Sequence, residues 1–250
     1  MIKRQQLSTK DGERIEVRIR KTGQSQALVI CPGFFQSKDT QRFRDLSRAL
    51  SRAFDFVAMD FRGHGRSTGG YTFGAKEMLD LEAVLAWARP QWARIGVLGF
   101  SMGGTIALNE VAEHHNADSV VAVSALMAFE EVENRWWDPR ALQMALNNWD
   151  PRCGVRPGNP LLPKPAPRDR VDRLAPIPVL FIHGTEDPIV ALRHSEVLFA
   201  KAREPKRLEI ISGGGHAEEL FRQFPERFVT LVTDWFAQSL PGATPTTAAA

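Results

Sequence analysis

Ile15, Val17 and Ile19 alternate with Arg14, Glu16, Arg18 and Arg20, a period of two that predicts an edge or half-exposed strand within Gly12 to Lys21. Ala27 to Cys31 is instead continuously apolar, the pattern of a strand covered on both faces. Phe54 to Met59, Ile95 to Leu98, Ser119 to Val123, Val179 to Ile182 and Leu208 to Ile211 repeat it. Between these runs lie helix-like segments at Thr40 to Arg52, Ala75 to Arg89, Gly104 to Glu113, Leu192 to Arg203 and Glu218 to Ser239. In the second, Met78, Leu81, Val84, Leu85 and Ala88 form a stripe at helical spacing, and Pro90 stops it. Strands alternating with helices imply an α/β fold, a mostly parallel central sheet with right-handed crossovers and helices on both faces. Functional loops then gather at the carboxyl ends of the strands.

The alternation breaks between about Met127 and Pro176, where Trp136, Trp137 and Trp149 precede the proline-rich Pro157 to Pro167. A small cap insertion is expected there, inside one domain spanning residues 1–240. Residues 241–250, rich in Thr, Ala and Pro, read as a disordered tail. The length of 250 residues fits one large core. With 43% hydrophobic and 24% charged residues, the balance is that of a globular rather than a disordered or membrane chain. A formal charge of +3, without a basic-aromatic module or a recognised motif, argues against nucleic acid. The polar start of the chain contains no signal core, and no run reaches about 18 apolar residues. The expectation is therefore a cytoplasmic protein without an integral membrane segment. Cys31 and Cys153 form neither a disulfide framework nor a zinc cluster, and neither a metal nor a cofactor is expected.

The chemistry centres on Gly99-Phe100-Ser101-Met102-Gly103, placed between an apolar run and a helix-like run. A serine between two glycines at a sharp strand-to-helix turn has its hydroxyl pushed outward, since bulkier neighbours would strike strand and helix. Asp187 lies beyond the run Val179 to Ile182, and His216 lies beyond Leu208 to Ile211 after three glycines. Ser101 is the candidate nucleophile, His216 the candidate base and Asp187 the group that orients the imidazole. Glu130 and Glu131, which also follow a strand, remain the alternative acids. The backbone N–H of Met102, next to the nucleophile at a helix start, and that of Phe34, in the loop after Ala27 to Cys31, are the candidate oxyanion donors. Phe34, Phe35, Met102, Met127, Phe129, Trp136 and Trp137 are candidates for an apolar acyl pocket, with packing between cap and sheet as the alternative.

The order Ser, Asp, His, together with Cys31-Pro32-Gly33-Phe34, Asp60-Phe61-Arg62-Gly63-His64-Gly65-Arg66-Ser67 and the elbow, resembles the α/β-hydrolase superfamily over roughly residues 12–238. Its single-domain serine esterases, lipases and serine peptidases with a modest insertion over the site are the nearest in pattern. The resemblance implies that the interrupted stretch is the cap and that the Arg62-Gly63-His64-Gly65 turn is structural. It also implies a serine hydrolase that cleaves a small or medium carboxylic ester through an acyl-enzyme. Thioesterase or serine aminopeptidase-like activity shares the same first step, and a noncatalytic ligand-binding member shares the fold. The expected partner is a small acyl-containing substrate, while monomer and homodimer both stay open. Serine at the elbow, where an aspartate would imply epoxide or halide chemistry, argues against those two activities.

Overall fold

The computed structural model describes residues 2–132, 139 and 153–240. Among them, eight strands form one sheet in the order β1-β2-β4-β3-β5-β6-β7-β8: β1 Ile2–Ser8, β2 Arg14–Arg20, β3 Gln26–Cys31, β4 Asp55–Met59, β5 Arg94–Phe100, β6 Ser119–Val123, β7 Val179–Gly184 and β8 Lys206–Ile211. The six from β3 to β8 run parallel, while the β1–β2 hairpin joins antiparallel to β4.

Alternation along each strand divides the core between the two faces. On β3, Ala27, Val29 and Cys31 face one cluster, which holds Leu85 of α2 (Glu77–Ala88), Ile106 of α3 (Met102–His114) and Leu198 of α4 (Arg193–Lys201). Leu28 and Ile30 face the other, with Phe43 of α1 (Gln41–Leu50), Leu220 of α5 (Glu219–Gln223) and Phe236 of α6 (Pro225–Ser239). Full burial of both faces explains the uninterrupted apolar runs of the central strands.

Two expectations need correction. β2 is not an edge strand: β1 covers it, and Glu16 and Arg18 are buried. On the polar face of its alternation Arg18 reaches Ser47 and Phe43 of α1, and Glu16 meets Arg4 and Lys38. The outer strand β1 carries only one buried residue, Leu7, so it offers almost no apolar period. Glu218 to Ser239 is two helices, because Pro225 has no N–H for a preceding turn and instead opens α6 at its first position.

The ends of the interrupted stretch belong to the body of the protein. Met127 is buried in the core, and short 3₁₀ turns at Pro167–Asp169 and Val171–Leu174 bring Val171 and Leu174 into the same cluster. Its returning segment is stitched to the loop after β4: the Gly65 N–H donates to the Cys153 carbonyl (2.6 Å), Arg156 to Gly63 (2.7 Å) and Tyr71 to Arg156 (3.0 Å). Trp136, Trp137 and Trp149, and the expected tail at 241–250, lie outside the described residues.

Candidate active site

Ser101 stands between β5 and α3 with φ of 50° and ψ of −117°, a conformation rare for a residue with a side chain. The turn closes only because its flanks are glycine. A Cβ on Gly103 would sit 2.3 Å from the Cys31 carbonyl oxygen, and one on Gly99 would sit 2.5 Å from that of Gly103. The elbow is held by the Ser101 N–H donating to Val123 (2.8 Å) and by Thr105 donating to the Ser101 carbonyl (3.0 Å). Ser101 is itself partly exposed.

The loop after β3 presses on this elbow. Gly33 lies so near that its missing Cβ would be 3.3 Å from the Ser101 Cβ. Phe34 and Phe35 then form a turn closed by the Gln36 N–H on the Gly33 carbonyl (3.3 Å), with Phe35 at φ 58°. The Phe34 amide has no partner among the described residues, and that of Met102, first in α3, has none within its helix. Two unsatisfied donors thus flank the Ser101 loop.

An ionic knot that sequence reasoning missed fixes the same loop. The Asp60 carboxylate accepts from the Ser37 hydroxyl (2.9 Å), the Lys38 amide (2.8 Å) and the Lys38 ammonium (2.5 Å). Lys38 is fully buried, with Asp39 at 3.2 Å and Glu16 at 3.5 Å. Burying an ammonium is tolerable only with this much opposite charge around it. The one available signal was the Asp60 turn itself; nothing local marks Lys38 as interior.

Asp187 and His216 meet across the ends of β7 and β8. His216 Nδ1–H donates to Asp187 Oδ2 at 2.7 Å, leaving Nε2 as the nitrogen able to exchange a proton. The other carboxylate oxygen accepts from the Ile189 and Val190 amides, each at 2.9 Å, so one side chain shapes its own loop and holds the imidazole. The two loops are joined by the Glu186 N–H on the Gly214 carbonyl (2.8 Å). Ser124, buried after β6 and not foreseen, accepts the Ala217 N–H at 3.0 Å and fixes the turn that carries His216.

Burial opposes ionisation of Asp187, but His216 and His183 outweigh it and hold the carboxyl well below the usual carboxylate range. Burial likewise opposes charging His216, and Asp187 overrides it, so the imidazole is more basic than usual. His183 buttresses the acid loop: Nε2–H donates to the Val190 carbonyl (2.9 Å), and Nδ1 meets the Ser195 hydroxyl (2.7 Å). Glu130 is exposed, and Glu131 pairs with Arg168. His64 donates from Nδ1 to the Arg62 carbonyl (3.1 Å), and burial depresses its pKa.

The pocket candidates separate. Met102 and Met127 are buried core residues, whereas Phe35 is 56% exposed. The Phe34 ring packs on Tyr71 and Phe73, with centroids at 4.8 and 5.5 Å, adding two aromatic residues not anticipated. The Phe129 ring occupies the space a Cβ on Gly74 would need. Trp136 and Trp137 fall outside the described residues. Among those residues there is no cluster of His, Cys, Asp and Glu able to hold a metal, and no helix is long and apolar enough to cross a membrane.

Residues 26–148 match the family model for the alpha/beta hydrolase fold. YqkD of Bacillus subtilis is 30% identical over 212 residues, covering 76% of this chain and 64% of that one. The human serine hydrolase BPHL is 25% identical, covering 88% and 83%. The chain spans about three fifths of the length of the enterobacterial YfhR proteins that it also matches. Among solved structures, the Pyrococcus furiosus esterase Pf2001 superposes with a TM-score of 0.79 at 21% identity, over 96% of this chain and 93% of that one. With its parallel sheet, its glycine-flanked serine after β5 and these likenesses, the chain has the α/β-hydrolase fold.

Proposed function

We propose that the protein is a serine hydrolase that cleaves a small or medium carboxylic ester through an acyl-enzyme. The observation that carries this reading is the 2.7 Å contact between His216 Nδ1 and Asp187, with the His216 turn held through Ala217 on Ser124, next to the Val123 carbonyl that receives the N–H of the strained, glycine-flanked Ser101. In this reading Ser101 Oγ attacks the acyl carbon while its proton passes to His216 Nε2, and Asp187 supports the imidazolium that forms. The tetrahedral oxyanion is received by the Phe34 and Met102 amides, each such donor contributing about 3–4 kcal/mol. Collapse breaks the carbon–oxygen bond, and His216 returns the proton to the departing alcohol. Water, deprotonated by the same imidazole, then frees the acid and restores Ser101.

No step draws on a group beyond the chain and water. The names of Pf2001, an esterase, and BPHL, a serine hydrolase, support the class of reaction. The aromatic group at Phe34, Tyr71 and Phe73 supports an apolar acyl chain. A serine-directed fluorophosphonate should label Ser101, and short to medium acyl esters should turn over with the same preparation; Ser101→Ala should abolish both. Faster turnover of thioesters or aminoacyl amides would move the reading to those leaving groups. Labelling without turnover of any of the three would favour a ligand-binding member of the fold.

A further inference from the structure

A cleft of about 200 Å³ opens beside the β1–β2 hairpin and α1, with Arg18 and Arg20 of β2 and Arg44 and Arg48 of α1 in its wall. Ser51 and Phe56 complete most of the lining, and no acidic side chain enters it. β2 pairs antiparallel with β4, Arg20 against Phe56 and Arg18 against Ala58. The cleft therefore opens toward the amino ends of the parallel strands, whereas Ser101, Asp187 and His216 follow their carboxyl ends.

Arg18 makes this more than a basic surface. It is 5% exposed, yet its hydrogen bonds go to neutral groups, the Ser47 hydroxyl (2.9 Å) and the Phe43 carbonyl (3.4 Å). Its Nε is buried without a partner among the described residues. Burial lowers its pKa, and although Asp39 opposes this, Arg4 and Arg44 add to it. Asp39 is in any case engaged by Arg4 at 2.7 Å and by Lys38 at 3.2 Å. Arg20 is tied to the Ser51 carbonyl and Arg48 to Asp45, while Arg44 has no ion pair among the described residues. A buried, under-satisfied guanidinium facing three further cations costs stability unless an anion joins them.

We infer that this cleft is a binding site for a compact oxoanion, a phosphate or the phosphomonoester end of a larger molecule, remote from the proposed reaction site. A phosphoryl group carries close to two charges and three or more acceptor oxygens, which suits guanidinium forks arriving from two elements. The volume limits the enclosed part of the ligand to the phosphoryl group and little else.

Titration calorimetry with inorganic phosphate, at constant ionic strength against chloride, tests the site. Saturable binding of one phosphate per chain is expected, and the double variant Arg44→Ala/Arg48→Ala should weaken it at least about tenfold. Both side chains are exposed on α1, so the variant should keep its circular dichroism, its melting temperature without phosphate and its rate of labelling at Ser101. Vesicles of phosphatidic acid, compared with phosphatidylcholine alone, separate the two sources of the group. Arginine-dependent capture by the first would identify a lipid headgroup, and binding of free phosphate without capture would identify a soluble ligand. Absence of saturable binding in both arms, or equal binding by the double variant, would overturn the inference.

Discussion

Replacing Ser101 by Ala removes one oxygen from a partly exposed side chain whose unusual backbone is held by neighbouring glycines and carbonyls. Stability should therefore change by less than about 0.5 kcal/mol while acyl transfer is lost; melting curves and ester turnover measured together check both halves. Asp187→Asn should lower turnover by about 10⁴, as the same change does in a Ser-His-Asp protease. Because Asp187 raises the His216 pKa, the neutral imidazole needed as base is recovered only above the pH at which a free imidazole loses its proton. The acid limb of kcat/KM should lie above that pH and move downward in Asp187→Asn, where burial acts without its counterion. A limb that stays in place would assign the basicity to another neighbour. The placement of Ser101, Asp187 and His216 was legible in sequence because each follows an apolar run at a strand end. Ser124 and Lys38 were not, since their roles depend on partners 93 and 22 residues away.

At the scale of elements, two loops and a helix share one small volume at the elbow. Gly103→Ala would force a Cβ to within 2.3 Å of one backbone oxygen and 2.4 Å of the next. A loss of about 1–3 kcal/mol is expected, with a fall in melting temperature of about 2–4 °C for each kcal/mol. Activity should fall further than stability alone explains, because the carbonyls displaced belong to the loop carrying Phe34; ester turnover well below the melting range separates the two effects. The central strands and most helices were legible because burial on both faces leaves uninterrupted apolar runs between amphipathic or apolar helices. β1 was not, for its residues are mostly exposed and polar, and besides backbone pairing it is held by Leu7 in the core and by the ion pairs of Arg4, which no local period reveals. The alternation in β2 was correctly a strand signal but misjudged its surroundings: periodicity reports two different faces and not which of them meets water.

Over the whole molecule, stability is tied to a few interior charges. Lys38→Met would leave Asp60, Asp39 and Glu16 gathered around an apolar side chain, and a loss of about 3–5 kcal/mol in urea denaturation is expected. Asp39 titrates near pH 2: burial opposes its ionisation, but Arg4 and Lys38 prevail. Its stabilisation is complete above about pH 4 and is lost as pH falls toward 2. Asp39→Asn should thus flatten the acid side of the stability curve, as followed by denaturation midpoints at successive pH values. The knot also ties the hairpin to the proposed reaction site. Arg4 of β1 holds Glu16 and Asp39, these face Lys38, and Lys38 holds Asp60 beneath the turn that carries Phe34. Trimming β1 away would leave all three proposed reacting residues untouched and still misplace the Phe34 amide proposed to receive the negative oxygen, so a protein shortened there is expected to bind acyl compounds while turning them over poorly.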